Sequence, residues 1–203
     1  MPELDEVAAA VRAQLSAPRA EHCARVAETA RRLALRHGLD PRDAELAGWL
    51  HDWYREVSAS EIVALALRAG VPDADQEPAQ VVSSTLHGPV AARLLPERWP
   101  DLSAAVLRSV DRHTTGAADM GPLDCLVYLA DLLEPGHAEP ELAELRILAD
   151  QDLESATLAA LEGSLRRLLD RGRPISVRTV QARNALLSRR GAPASGGPGT
   201  SSR

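Results

Sequence analysis

Apolar positions recur at intervals of three and four along nearly the whole chain, the spacing that gathers them on one face of a helix. Leu4, Val7, Val11 and Leu15 predict a short amphipathic helix over 3–16. Pro18 interrupts it, and Val26, Ala30, Leu33 and Ala34 predict a longer helix over 19–37, closed by Gly38. Asp40-Pro41 supplies an N-cap followed by proline at the first helical position. The helix it opens carries Ala44, Leu46, Ala47, Trp49 and Leu50 to His51-Asp52. Ser58-Ala59-Ser60-Glu61 fits a capping box, opening a helix that runs to about residue 69 and ends at Gly70.

Residues 71–80, rich in Pro, Asp and Gln, predict a loop. A helix resumes over 78–86 and continues past a break at Gly88-Pro89 to Leu95, with His87 at the break. Pro100-Asp101 predicts the start of the next helix, whose apolar face is Leu102, Val106, Leu107 and Val110 and whose end is the polar turn Asp111-Arg112-His113-Thr114-Thr115-Gly116. Pro122 opens a strongly apolar helix over 123–133 with Asp131 inside it, and three further helices follow over 138–150, 152–170 and 174–189. The Gly/Pro/Ser/Ala-rich tail from Gly191 predicts disorder. No strand-like alternation of useful length and no internal repeat interrupts this pattern. The expected fold is all-α: an N-terminal helix over 1–17, one helical domain over 18–190 and a tail over 191–203.

Composition narrows the picture. With 203 residues, 45% of them hydrophobic, the chain can bury one real core. It contains no Phe and aromatics amount to 2%, so that core must be built from Leu, Ala and Val. All basic residues are Arg. A net charge of −6 argues against general nucleic-acid binding but leaves room for a small phosphorylated substrate, because a metal can supply local positive charge. Cys23 and Cys125 lack CxxC spacing and read as buried free thiols of a reducing compartment. No signal peptide, apolar run of membrane length or lipidation box is present, and the expected location is the cytoplasm.

The candidate chemistry centres on His51-Asp52. Imidazole nitrogen and carboxylate oxygen suit divalent metals. Neighbours on a helix point about 100° apart, so the pair cannot chelate as an i, i+4 pair does. The two meet one metal if the Asp swings inward, and its second oxygen is then placed for another. His22 lies upstream, and His87, His113 and Asp131 downstream, each in or at the end of its own helix. Asp131 follows Leu129-Ala130, and a carboxylate in so apolar a helix is costly to bury unless paired with an Arg or bound to metal. His37 precedes the helix-ending Gly38, where a cationic ring favours the C-terminal dipole, a structural role.

Taken together, His22-x3-Val26, Leu50-His51-Asp52, His87-Gly88, His113-Thr114-Thr115-Gly116 and Ala130-Asp131-Leu132-Leu133-Glu134-Pro135 resemble the HD-domain phosphohydrolase superfamily over roughly residues 18–187. The HTTG and ADxxEP segments are similar to one branch, the bacterial symmetrical bis(5′-nucleosyl)-tetraphosphatases. Two positions depart from that branch. Arg55 stands where its pattern has Lys, and His137 stands where it has Arg after the EP-x stretch.

The resemblance implies a binuclear metal centre. His22, His51, Asp52 and Asp131 would hold one metal, and Asp52 would bridge to a second held by His87 and His113. Iron is the expected metal, with manganese, zinc or cobalt compatible with the same donors. The resemblance further implies symmetrical cleavage of diadenosine tetraphosphate to two ADP by a metal-bound hydroxide, with His51 and Asp52 catalytic, and Arg55 is an expected catalytic group by its position next to these ligands. Arg55, Thr114, Thr115 and His137 are the expected substrate-binding groups. The expected partner is a small dinucleoside polyphosphate or other nucleotide, with neither a membrane nor a general nucleic-acid ligand, and the oligomeric state is open. Two other readings stand beside this one. The first is a phosphohydrolase for another nucleotide, although Trp53-Tyr54-Arg55-Glu56 does not match the HDxxED of alarmone hydrolases, nor His113-Thr114-Thr115-Gly116 the HHExxDGxGYP of the cyclic dinucleotide type. The second is a metal-stabilised binding module that has lost hydrolytic activity, motivated by Arg55 and His137.

Overall fold

The computed structural model describes residues 1–72, 82–136 and 142–191, and the described residues are helical with no strand. The first helices are α1 (Leu4–Gln14), α2 (Ala17–His37), α3 (Pro41–Leu50) and α4 (Ala59–Arg68). After them come α5 (Val82–Thr85), α6 (His87–Arg98), α7 (Ala104–Arg112) and α8 (Pro122–Leu133). The chain then forms α9 (Leu142–Ala149), α10 (Leu153–Asp170) and α11 (Val177–Gly191). The predicted starts of helices within 73–81 and 137–141, the rest of the loop over 71–80, and the tail beyond Gly191 lie outside the described residues, as does His137.

Local chemistry sets most boundaries. Asp40 caps α3 by accepting from the backbone N–H groups of Arg42 and Asp43, and Ser58 caps α4 by accepting from that of Glu61. Gly38 and Gly70 take the left-handed conformation that ends α2 and follows α4, at φ 66° and 63°. Two predicted boundaries need correction. The chain bends at Leu86, and Gly88-Pro89 lies inside α6. Pro89 falls in the first turn, where an N–H would have no intrahelical acceptor, so proline removes no ladder bond. Pro100-Asp101 likewise precedes α7 rather than opening it. Ser103 is the N-cap and accepts from the Val106 N–H.

Helices α2, α3, α7 and α8 pack together as the centre of the molecule, with α1 against α3, α6 against α7, and α10 against α8, α9 and α11. Their shared core is mainly Leu, Ala and Val, including Leu33, Leu46, Leu50, Leu126, Leu129 and Leu161, all fully buried, with Trp49, Trp53, Trp99 and Tyr128 in the same core. Val7 and Val11 of α1 belong to the same core, and α2 begins at Ala17. A satellite cluster of Ile62, Ala66, Val71, Leu86, Val90 and Leu94 seats α4 on α6. Gly48 permits the closest central contact: a Cβ there would stand 2.5 Å from the Ala27 Cα of α2. Among the described residues no helix is long and apolar enough to cross a membrane.

Candidate metal centre

The six residues expected to bind metal converge at one place, although they come from five separate segments. His51 is the C-cap of α3 and His113 the C-cap of α7. Each uses the unpaired carbonyls that every helix leaves at its C-terminus. His51 Nδ1 donates to the Gly48 carbonyl at 2.7 Å and His113 Nδ1 to the Val110 carbonyl at 2.8 Å, both three residues back. With the proton on Nδ1, the lone pair of each ring lies on Nε2, the tautomer a metal requires. His22 projects from α2, with its Nδ1 3.2 Å from Glu134 Oε1. His87 is the first residue of α6, and Gly88 beside it lets α6 approach α7: a Cβ at Gly88 would stand 2.7 Å from the Val110 carbonyl oxygen.

Asp52 lies between two groups of donors. Its Oδ2 is 3.4 Å from His51 Nε2 and 3.8 Å from His22 Nε2, while its Oδ1 is 3.1 Å from His87 Nε2 and 3.8 Å from His113 Nε2. Asp131 Oδ1 closes the first group at 3.0 Å from His22 Nε2 and 3.7 Å from His51 Nε2. In the second group, His87 Nε2 and His113 Nε2 face each other at 2.9 Å. A metal about 2.1 Å from each donor holds neighbouring donors about 3 Å apart, so these separations are those of a coordination shell. The buried Nε2 of His51 has no hydrogen-bond partner, and an orphaned lone pair aimed at two carboxylates fits a cation between them. The donors thus divide into His22, His51 and Asp131 on one side and Asp52, His87 and His113 on the other. The chain leaves α3 after His51 in a turn where the Trp53 N–H bonds the Leu50 carbonyl and the Arg55 N–H the Asp52 carbonyl, and the two Asp52 oxygens face the two donor groups from there.

The charges suit this arrangement. Burial pushes the Asp52 carboxyl up, but His51 and His87 outweigh it and hold it far below the usual carboxylate range. Burial likewise acts against Asp131, and the neighbouring His22 and His51 rings bring it to about 2. His113 is pushed down to about 3 by burial and its neighbouring rings, so it stays neutral and able to ligate. Burial opposes a charge on His51, yet the Asp52 and Asp131 carboxylates draw its proton affinity up to about 9, the field a metal would feel in the proton's place. Cys23, under the site within 4.8 Å of His51 and Asp52 donors, is pushed up by burial and remains a thiol.

These groups floor a cleft of about 450 Å³ lined by Arg19, Arg25, Arg55, Glu56, Ser84 and Thr114 among others. Arg55 and Thr114 both line this cleft, and Thr114 Oγ1 lies 2.9 Å from His113 Nε2. Thr115 does not join them: it is buried and its hydroxyl donates to the Gly116 carbonyl. His37 is apart from the site, with Nε2 2.7 Å from the Ala149 carbonyl at the end of α9. Sequence reasoning missed Arg19 and Arg25, three residues either side of His22 and therefore on its face of α2, and Glu134, three residues beyond Asp131. Arg19 donates to Asp52 Oδ2 at 2.9 Å.

A helical bundle with this donor set is the HD architecture, and the HD domain pattern matches residues 19–136, more than half of the chain. The chain belongs to the HD family. It is 30% identical over 91% of its length to the symmetrical bis(5′-nucleosyl)-tetraphosphatase of Bacillus subtilis, covering 97% of that protein. It is 31% identical to the protein of the same name from Halalkalibacterium halodurans, over 87% of this chain and 93% of that one. The crystal structure of a predicted HD superfamily hydrolase involved in NAD metabolism from Clostridium acetobutylicum superposes with a TM-score of 0.85 at 29% identity, covering 93% of this chain and 99% of that one.

Proposed function

We propose that the protein is a metal-dependent hydrolase that splits diadenosine tetraphosphate symmetrically into two ADP at a binuclear centre. The observation that carries this reading is Asp52, one carboxylate whose two oxygens face different histidine groups, Oδ2 toward His22 and His51 and Oδ1 toward His87 and His113. Carboxylates bridge paired metals, and imidazole nitrogens do not. The similarity to proteins named symmetrical bis(5′-nucleosyl)-tetraphosphatases supports the substrate. His22, His51, Asp52 and Asp131 would hold one metal, and Asp52, His87 and His113 the other. Iron is the expected metal, and manganese, zinc and cobalt suit the same donors. When bound, such a pair supplies Lewis acidity to the phosphoryl oxygens and lets water act as a nucleophile near neutral pH.

The protein's own part is binding and orientation. Arg19, Arg25 and Arg55 bring three guanidinium groups to the cleft, matched to the negative charge of a tetraphosphate. Thr114 adds a hydroxyl beside His113. The five Trp and Tyr residues lie elsewhere: Trp49, Trp53, Trp99 and Tyr128 are core, and Tyr54 packs against it. With no such ring lining the cleft among the described residues, recognition falls on the phosphates rather than on a stacked base. Free buried thiols at Cys23 and Cys125 fit a cytoplasmic location. The test is chromatography of initial products from diadenosine tetraphosphate with the metal-loaded protein. Attack at an inner phosphorus gives ADP alone, whereas ATP with AMP would reject the symmetrical reading even in an active protein. A panel of other nucleotides separates a broader phosphohydrolase, and metal binding without any turnover would favour a binding module.

A further inference from the structure

Glu134 is the least exposed carboxylate beside the cleft that the proposed reaction does not use, at 1% of its free surface. It sits at the C-cap of α8, one turn past Asp131. Its Oε1 lies 3.2 Å from His22 Nδ1 and accepts from Arg25 Nη2 at 3.3 Å, while its Oε2 accepts from Arg25 Nε at 2.5 Å and from the Gly136 backbone N–H at 2.6 Å. His22 and Arg25 are three residues apart on α2, so one carboxylate grips two neighbouring side chains of the same helix face.

We propose that Glu134 is a positioning residue that fixes the metal-binding tautomer of His22 and the cleft-facing guanidinium of Arg25 together, tying the metal centre to phosphate recognition. The proposal rests on the metal-dependent reading above. An acceptor at Nδ1 keeps the ring proton there and leaves the lone pair on Nε2, which points to Asp131 Oδ1 at 3.0 Å. His51 and His113 obtain the same result from backbone carbonyls, but His22, inside α2 rather than at its end, has no such carbonyl to use, since those of a helix interior are taken by the ladder. A guanidinium carries five N–H groups, and Glu134 engages two of its nitrogens, so Arg25 retains donors for a phosphoryl oxygen. Gly136 completes the grip: a Cβ there would stand 2.6 Å from Glu134 Oε1 and 2.8 Å from Arg25 Nη2.

The test titrates the full-length protein with Mn²⁺ alone against a chelating dye, for the wild type, Glu134→Gln, Gly136→Ala and Arg25→Gln, with helicity checked by circular dichroism. Glu134→Gln should weaken one of two Mn²⁺ sites by about 10–100-fold, the usual effect of losing a ligand's supporting partner. It should also raise KM for diadenosine tetraphosphate, and excess Mn²⁺ should recover the lost turnover. Gly136→Ala should move both readouts in the same direction, and Arg25→Gln should raise KM while leaving Mn²⁺ affinity within twofold. A purely structural Glu134 would lower the melting temperature without moving Mn²⁺ affinity, and that outcome overturns the proposal. So does a ¹⁵N spectrum of the metal-loaded wild type in which His22 Nδ1 carries no proton, a measurement that needs no variant to fold. A wild type that binds no Mn²⁺ removes the metal reading and this proposal together. A two-metal wild type with an unaffected Glu134→Gln removes this proposal alone.

Discussion

Gly48→Ala separates helix propensity from packing, because the two predict opposite signs. In an exposed helix, replacing Gly by Ala stabilises by about 1 kcal/mol. At Gly48 the new Cβ would meet the Ala27 Cα at 2.5 Å and the Ala27 N at 2.8 Å, both backbone atoms of a buried part of α2. Carbon atoms rest about 3.5–4.0 Å apart, so α2 and α3 would have to separate by about 1 Å. Overpacking costs about 1–3 kcal/mol, and a rigid backbone neighbour places this site at the upper end. Subtracting the propensity gain leaves a net loss of about 2 kcal/mol, or about 4–8 °C in melting temperature for a chain of this size. Because α2 carries His22 and α3 leads into His51-Asp52, the same movement should weaken metal binding. The control is Gly163→Ala in α10, where the new Cβ would meet only Arg167 Nη1, at 3.6 Å. That variant should gain up to about 1 kcal/mol, or about 2–4 °C. Thermal denaturation of both variants beside the wild type reads the difference. A Gly48→Ala protein as stable as the wild type would refute the argument that α2 and α3 are held at glycine distance.

Stripping the metal should lower the melting temperature, since a ligand that binds only the folded state adds about 4 kcal/mol at a thousand-fold excess over Kd. Equal melting curves before and after verified removal would count against a buried centre. Both thiols should resist a disulfide reagent in the native protein and react once it is unfolded, because both are buried and burial pushes Cys125 up to about 11. Rapid labelling of either in the folded state would contradict the packing described.

The His/Asp cluster that could hold a metal was legible in the sequence because its donors are rare residue types set against apolar helices. His51-Asp52 follows a buried run and Asp131 interrupts another, and each violates the local hydrophobic pattern. The groups around them follow no such violation. Arg19 and Arg25 are two of many arginines, and only the position of His22 on α2 distinguishes them. Glu134 stood in the ADxxEP segment, yet its grip on His22 and Arg25 joins residues more than a hundred positions apart, beyond the reach of periodicity. Thr115 was misplaced for a related reason. Adjacent hydroxyls in a turn read alike, and only the backbone shows that Thr114 faces the rings while Thr115 turns to Gly116. At the helix starts, a strong proline signal at Pro100 was overridden by the side-chain cap of Ser103, and Gly88-Pro89 read as a break because sequence alone did not reveal that both lie in a first turn.

The bridging role of Asp52 is the centre of the account, and metal stoichiometry in two variants tests it directly. If Asp52 bridges, Asp52→Ala removes an anionic ligand from each half of the centre, while His87→Ala removes a neutral imidazole from the second half alone. Elemental analysis of folded, purified proteins should find about two metals in the wild type, close to none in Asp52→Ala and about one in His87→Ala, with turnover lost in both variants. An Asp52→Ala protein that retains two metals and normal turnover would contradict the bridge and the reading of the site built on it.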